Sequence, residues 1–142
     1  MADWFLKVKK DFITCFLEKD RWHYILQGLG NTLKIALVAV LLGVAIGTVV
    51  AIIRSTYDKN AATMRPGPAR FLLGLGNAIC RVYLTVIRGT PVMIQILIMF
   101  FVIFSNARDG VPVAMLTFGI NSGAYVAEII RGGIMAVDAG QM

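Results

Sequence analysis

Five residues on one apolar stretch are the chain's clearest candidates for chemistry: Thr117, Asn121, Tyr125, Glu128 and Gly132. At 3.6 residues per turn they fall within about 80° of one another on a helical wheel. They make a polar stripe on a segment otherwise apolar enough to enter a membrane. A carboxylate at the centre of a membrane helix costs about 2.5–3.5 kcal/mol, so Glu128 must be paired, face water, or lie near the headgroups. Two readings follow. Glu128 lines a solute route, meeting a cationic or amino group, or it sits near the headgroups and pairs with Arg131 one turn on. Asn121 and Tyr125 lie deeper along the segment and are the better lining candidates.

A second cluster, Arg88-Gly89-Thr90-Pro91, stands at the mouth of another apolar run. It fixes a re-entry geometry, or it is a boundary charge followed by a flexible glycine and a helix-starting proline. Gln95, four residues beyond Pro91, is the strongly polar side chain in the body of that run. It lines a cavity or hydrogen-bonds a neighbouring helix. No nucleophile–base pair or phosphate-binding loop is present, and the GLGN at 28–31 and 74–77 is not a nucleotide fingerprint. Cys15 and Cys80 are far apart and His23 has no ligand spacing around it, so neither a metal site, a cofactor nor a structural disulfide is expected. The net charge of +6 is spread over several loops, which argues against nucleic-acid binding and fits the Lys/Arg excess of membrane-protein loops.

The elements that position these residues follow from where charges are missing. Nineteen uncharged residues lie between Lys34 and Arg54, nineteen between Arg88 and Arg108, and eighteen between Asp109 and Glu128. About 20 mostly apolar residues cross a bilayer. An all-α integral membrane fold with about three spans is therefore expected, at about 32–54, 91–105 and 112–135. Ala39, Gly43, Gly47 and Ala51 form a small-residue stripe on the first span, and Gly119, Gly123 and Ala127 form one on the third. Such stripes allow close helix approach where lipid supplies little hydrophobic drive. Residues 1–31 precede the membrane part (32–142). In them, Trp4, Val8, Phe12, Cys15 and Phe16 share one side of a helix opposite Lys7, Lys10, Asp11, Thr14 and Glu18, the pattern either of an interfacial helix or of a poorly ordered leader that merely precedes the first span. Asn31 or Thr32 would cap the first span. Residues 71–87, apolar but broken by Arg81 and two glycines, read as an interfacial or shallowly buried helix. The turn NARDGVP makes the last two spans antiparallel neighbours. Charge alone does not orient the chain, because residues 1–34 and 54–88 are equally basic.

Three runs occur in order: YILQGLGNTLKIAL, VYLTVIRGTPVMIQILIMFF and GINSGAYVAEIIRGGIMAVDAGQM. Together they resemble the permease subunit of polar amino-acid ABC importers of the histidine, glutamine, arginine and cystine group, over about residues 24–142. The motif residues are Arg88, Gly89, Thr90 and Pro91, then Asn121, Ser122, Gly123, Ala124, Tyr125, Glu128, Arg131 and Gly132. The resemblance implies the first part of a type I ABC importer permease, without catalytic residues of its own, in the bacterial cytoplasmic membrane. It implies pairing with a second copy or a paralogue, an ATPase subunit on the cytoplasmic side, an extracytoplasmic amino-acid-binding protein, and a polar amino acid as substrate. It also implies an outside N-terminus and a cytoplasmic RGTP side. In the family a coupling loop begins just after the GQ that is Gly140-Gln141 here, so a chain stopping at Met142 is expected to be truncated before that loop. The competing readings are a small multi-span scaffold or adaptor without transport activity, which the glycine stripes would also serve, and a truncated permease that does not function.

Overall fold

The computed structural model describes residues 2–16, 21–60, 64 and 67–137. The expected GQ boundary at 140–141 lies outside them. The chain divides into two compact units, one up to Lys34 and one from Ile35 onward.

The first unit holds helix α1 (Ala2–Phe16) and the opening turns of α2 (Arg21–Asn60). On α1, Trp4, Phe5, Val8 and Phe12 are exposed, as are Lys7 and Lys10. The side chains of Cys15 and Phe16 are outside the described set. No cap interrupts α2 at Asn31 or Thr32. The Thr32 hydroxyl donates to the Gly28 carbonyl at 2.9 Å, the i−4 back-bond that lets threonine sit within a helix. The window expected at 32–54 is thus the middle of a 40-residue helix.

The second unit adds α3 (Pro68–Gly89), α4 (Val92–Ile98, continuing as a π-helical turn over Met99–Ile103) and α5 (Gly110–Ala136). Its buried residues are mostly small, among them Ala39, Gly43, Gly47 and Ala51 on α2, Cys80 on α3, and Gly119, Gly123, Ala124 and Ala127 on α5. Large apolar side chains such as Leu37, Leu41, Ile79, Val82 and Phe101 point outward. An apolar exterior around a core of small residues is the arrangement lipid solvent favours.

The two small-residue stripes lie against each other. A Cβ built on Gly47 would fall 2.7 Å from Val126 Cβ, and one on Gly119 would fall 2.8 Å from Leu42 Cβ. Gly43 meets Ser122, and Gly123 meets Ile46. Residue numbers rise together along both helices, so α2 and α5 run parallel.

The remaining crossing departs from the expected spans. The 91–105 run folds as only seven α-helical and five π-helical residues. At about 1.5 Å per residue this rises about 18 Å, short of a bilayer core. By length and composition, the helices able to cross a membrane are α2, α3 and α5, so α3 has more than the dimensions of the shallow helix expected at 71–87. Contacts explain both differences. α3 begins beside the charged end of α2, where Gly74 approaches Tyr57 and Gly76 approaches Ile53. It ends where the carbonyls of Ile87 and Thr90 meet Gln95, which is itself bonded to Asn121 in mid-α5. α4 carries on from there until Phe100 reaches Gly110, at the other end of α5. The path alongside α5 is therefore shared by two helices and broken at Thr90-Pro91. Pro91 precedes the first turn of α4 and its carbonyl accepts from the amides of Ile94 and Gln95. α5 starts at Gly110, two residues before the expected Pro112, because the Asp109 carboxylate caps it by accepting from Val111 N at 2.9 Å.

Candidate functional site: an arginine-lined cleft

Near the charged ends of α2 and α5, a cleft of about 560 Å³ opens between α2, α3 and α5. Arg54, Arg81, Arg88, Tyr125 and Glu128 supply its polar wall. Each helix contributes for a local reason. Arg54 ends the uncharged window of α2. Arg81 and Arg88 lie seven residues apart, two turns, and so share a face of α3. Tyr125 and Glu128 are neighbours at i, i+3 on α5.

Glu128 is the electrostatic centre. Its Oε1 accepts from Arg54 Nη1 at 2.8 Å, and Arg88 Nη1 stands 3.7 Å from the same oxygen. Arg131 Nη1 is 3.8 Å from Oε2. Arg131 is engaged mainly elsewhere: its Nε and Nη2 donate to Asp58 Oδ2 at 3.0 and 2.6 Å. The local Glu128–Arg131 pair anticipated from spacing is therefore secondary to the long-range pair with Arg54. The reason is reach: α2 and α5 pack at glycine distance, which brings two chain-distant guanidinium-bearing helix ends to one carboxylate. Arg54 is the more buried partner, with its side chain 13% exposed. The Arg88 guanidinium carbon lies 5.9 Å from the centre of the Tyr125 ring, within cation–π range.

The other polar-stripe residues are placed differently. Thr117 is buried and donates to the Val113 carbonyl of its own helix at 2.7 Å. Asn121 donates to Gln95 Oε1 at 3.1 Å. Gln95 in turn donates to Ile87 O at 2.7 Å and to Thr90 O at 3.0 Å. These residues hold the broken passage together. Ser122, Gly123 and Ala124 sit on or beside the α2 contact, and Gly132 is exposed. Only Tyr125 and Glu128 of the stripe reach the cleft.

Gln95→Leu is an informative test of the fastening. It strips partners from Asn121 and from two carbonyls at the broken turn, at a cost of about 1–3 kcal/mol for groups left buried and unsatisfied. The expected result is a lower thermal midpoint in detergent than wild type. An unchanged midpoint would mean that water replaces the amide without penalty.

Arg54, Arg81 and Tyr83 carry no site role in the sequence pattern. Tyr83 donates from α3 to the Ile120 carbonyl at 2.6 Å and packs over Gly123. Arg81 was legible as a charge inside an apolar segment, the standard sign of a functional position. Arg54 read only as the end of a span. Among the described residues no cluster of three or more His, Cys, Asp or Glu side chains could hold a metal.

Comparisons with known proteins agree with this architecture. No family model matches the chain. A putative glutamine transport system permease protein of Rickettsia prowazekii is 37% identical over 121 residues, covering 83% of this chain and 49% of that protein. The arginine transport system permease protein of Bacillus subtilis is 36% identical over 121 residues, covering 83% and 48%. The L-cystine transport system permease protein of the same bacterium is 28% identical over 127 residues, covering 88% and 48%. A crystal structure of an amino acid ABC transporter with histidines superposes with a TM-score of 0.59 at 34% identity, covering 78% of this chain and 45% of that one. With its apolar spans and glycine-packed α2–α5 pair, the chain is a membrane protein belonging to the amino-acid ABC transporter permeases, and it spans about half the length of the curated relatives it matches.

Proposed function

We propose that this chain forms part of the translocation path of an ATP-driven importer for a polar amino acid in the bacterial cytoplasmic membrane. The observation that carries the reading is the charged cleft set among helices whose outer faces are apolar. Charge inside a membrane helix bundle is retained where it faces water or a polar solute. Tyr125 and Glu128 line the path directly. Gln95, Asn121 and Thr117 keep the passage in register beside it. The chain performs no catalysis. ATP hydrolysis belongs to a separate ATPase subunit on the cytoplasmic side, and an extracytoplasmic binding protein delivers the amino acid. A second copy or a paralogue completes the pathway. Relatives named for glutamine, arginine and cystine transport support a substrate class of amino acids with polar groups.

The test is affinity capture of the tagged chain from the producing cell's membranes, followed by mass spectrometry. The expected result is recovery of an ATPase subunit and an amino-acid-binding protein. Recovery of the chain without any ATPase, under conditions that preserve membrane complexes, would overturn the importer reading and favour a scaffold.

A further inference from the structure

The charges in the cleft do not balance, and the imbalance has a direction. Three guanidinium groups, Arg54, Arg81 and Arg88, face one carboxylate, Glu128, leaving two positive charges in excess. Arg54 neutralises Glu128 at 2.8 Å. Arg88, at 3.7 Å, is beyond hydrogen-bonding distance of that carboxylate and is 47% exposed, so its donors remain available. Arg81 has no ion-pair partner among the described residues. The Tyr125 ring flanks the Arg88 guanidinium. Other nearby charge is already spent, since Asp58 and Arg131 pair with each other.

Arg88 stands level with Glu128, and Arg81 lies two turns, roughly 10 Å, nearer the start of α3. Both are exposed at the open cleft. Two guanidinium groups without a full counter-charge there call for an anion. The volume, about 560 Å³, falls within the ~300–1,000 Å³ of small-molecule sites. Guanidinium forks match carboxylates in a bidentate geometry.

We propose that Arg81 and Arg88 form a carboxylate-binding subsite that receives the α-carboxylate of the amino acid in transit, with Arg54 serving to neutralise Glu128. The inference rests on the importer reading. It also reverses the preference that Glu128 alone would suggest: a carboxylate already answered by Arg54 does not select cationic side chains, and the excess positive charge recognises the acid group that every amino acid carries.

The test uses the transporter assembled with its ATPase and binding protein in proteoliposomes, with radiolabelled L-glutamine, L-arginine and L-cystine as separate probes. Arg81→Gln and Arg88→Gln are expected to lower the maximal uptake rate by about ten-fold or more, the scale of one lost charge-assisted hydrogen bond. The half-saturating concentration, set by the binding protein, is expected to hold. Arg88→Lys keeps the charge and is expected to recover part of the rate. Unchanged uptake in both glutamine variants would overturn the subsite while leaving the importer reading intact. Unchanged uptake with loss of co-purifying phosphatidylglycerol would overturn it in favour of a lipid phosphate. A loss of rate accompanied by loss of the ATPase subunit would assign the arginines to assembly and overturn it equally. Failure of the wild-type transporter to take up any of the three probes would overturn both readings together.

Discussion

Alanine at Gly47 is expected to loosen the α2–α5 contact and lower the thermal midpoint of the purified protein. The new Cβ would stand 2.7 Å from both Val126 Cβ and Cγ1, and 3.0 Å from the Ala127 backbone nitrogen. None of these atoms is the free end of a flexible chain, so the helices themselves must move apart. Overpacking of this kind costs about 1–3 kcal/mol, and leucine at the same position would cost more. Gly43→Ala should behave alike, because its Cβ would meet Ser122 Cβ at 2.8 Å. Gly133 is the internal control: a Cβ there has nothing within 4 Å. Gly133→Ala should be neutral or slightly stabilising, since alanine is the better helix former by about 1 kcal/mol. Thermal unfolding in detergent, measured for the three variants side by side, checks the prediction. Equal midpoints for Gly47→Ala and Gly133→Ala would mean that the two helices are not in contact at the glycine stripe. The expected separation matters beyond stability, because the Arg54–Glu128 pair depends on that close approach.

Glu128→Gln is expected to have the second large effect. It removes the only carboxylate facing the cleft among the described residues and leaves Arg54, 13% exposed, without its counter-charge. Removing one partner of a buried pair costs about 3–5 kcal/mol. Glu128 is 28% exposed, and solvent there brings the expected loss below that range, to roughly 1–3 kcal/mol. Arg54→Met combined with Glu128→Met should recover much of the loss, because no isolated charge then remains. A double-mutant cycle on thermal stability measures the coupling directly, and a coupling near zero would show that the pair does not hold the helices. Transport gives a separate answer. An assembled transporter carrying Glu128→Gln with wild-type uptake would remove Glu128 from the path, whatever its part in stability.

These two expectations mark where the sequence could and could not lead. Membrane-spanning character, the α5 polar stripe and the glycine stripes follow from residue type and period alone. Gaps between charges set helix length, and 3.6-residue periodicity sets the face, so local spacing suffices. The family resemblance carried by RGTP and NSGAYVAEIIRGG was equally a property of the string. Partnership was not. Arg131 follows Glu128 by one turn and reads as its mate, yet it turns to Asp58, 73 residues away in the chain. Arg54, 74 residues from Glu128, takes its place. Spacing reports neighbours on one helix, whereas the choice among several arginines depends on which helix ends the glycine contact brings together. The broken passage was hidden for a similar reason. Proline at 91 and an uncharged run after it read as the start of a full span. Only the fastening of Gln95 to the end of α3 and to Asn121 shows that α3 and α4 follow one another along α5. What the tertiary structure decided was therefore the meeting of charges: three arginines from two helices and one glutamate from a third converge on a cleft, because close packing of small residues is a long-range event that no local pattern encodes.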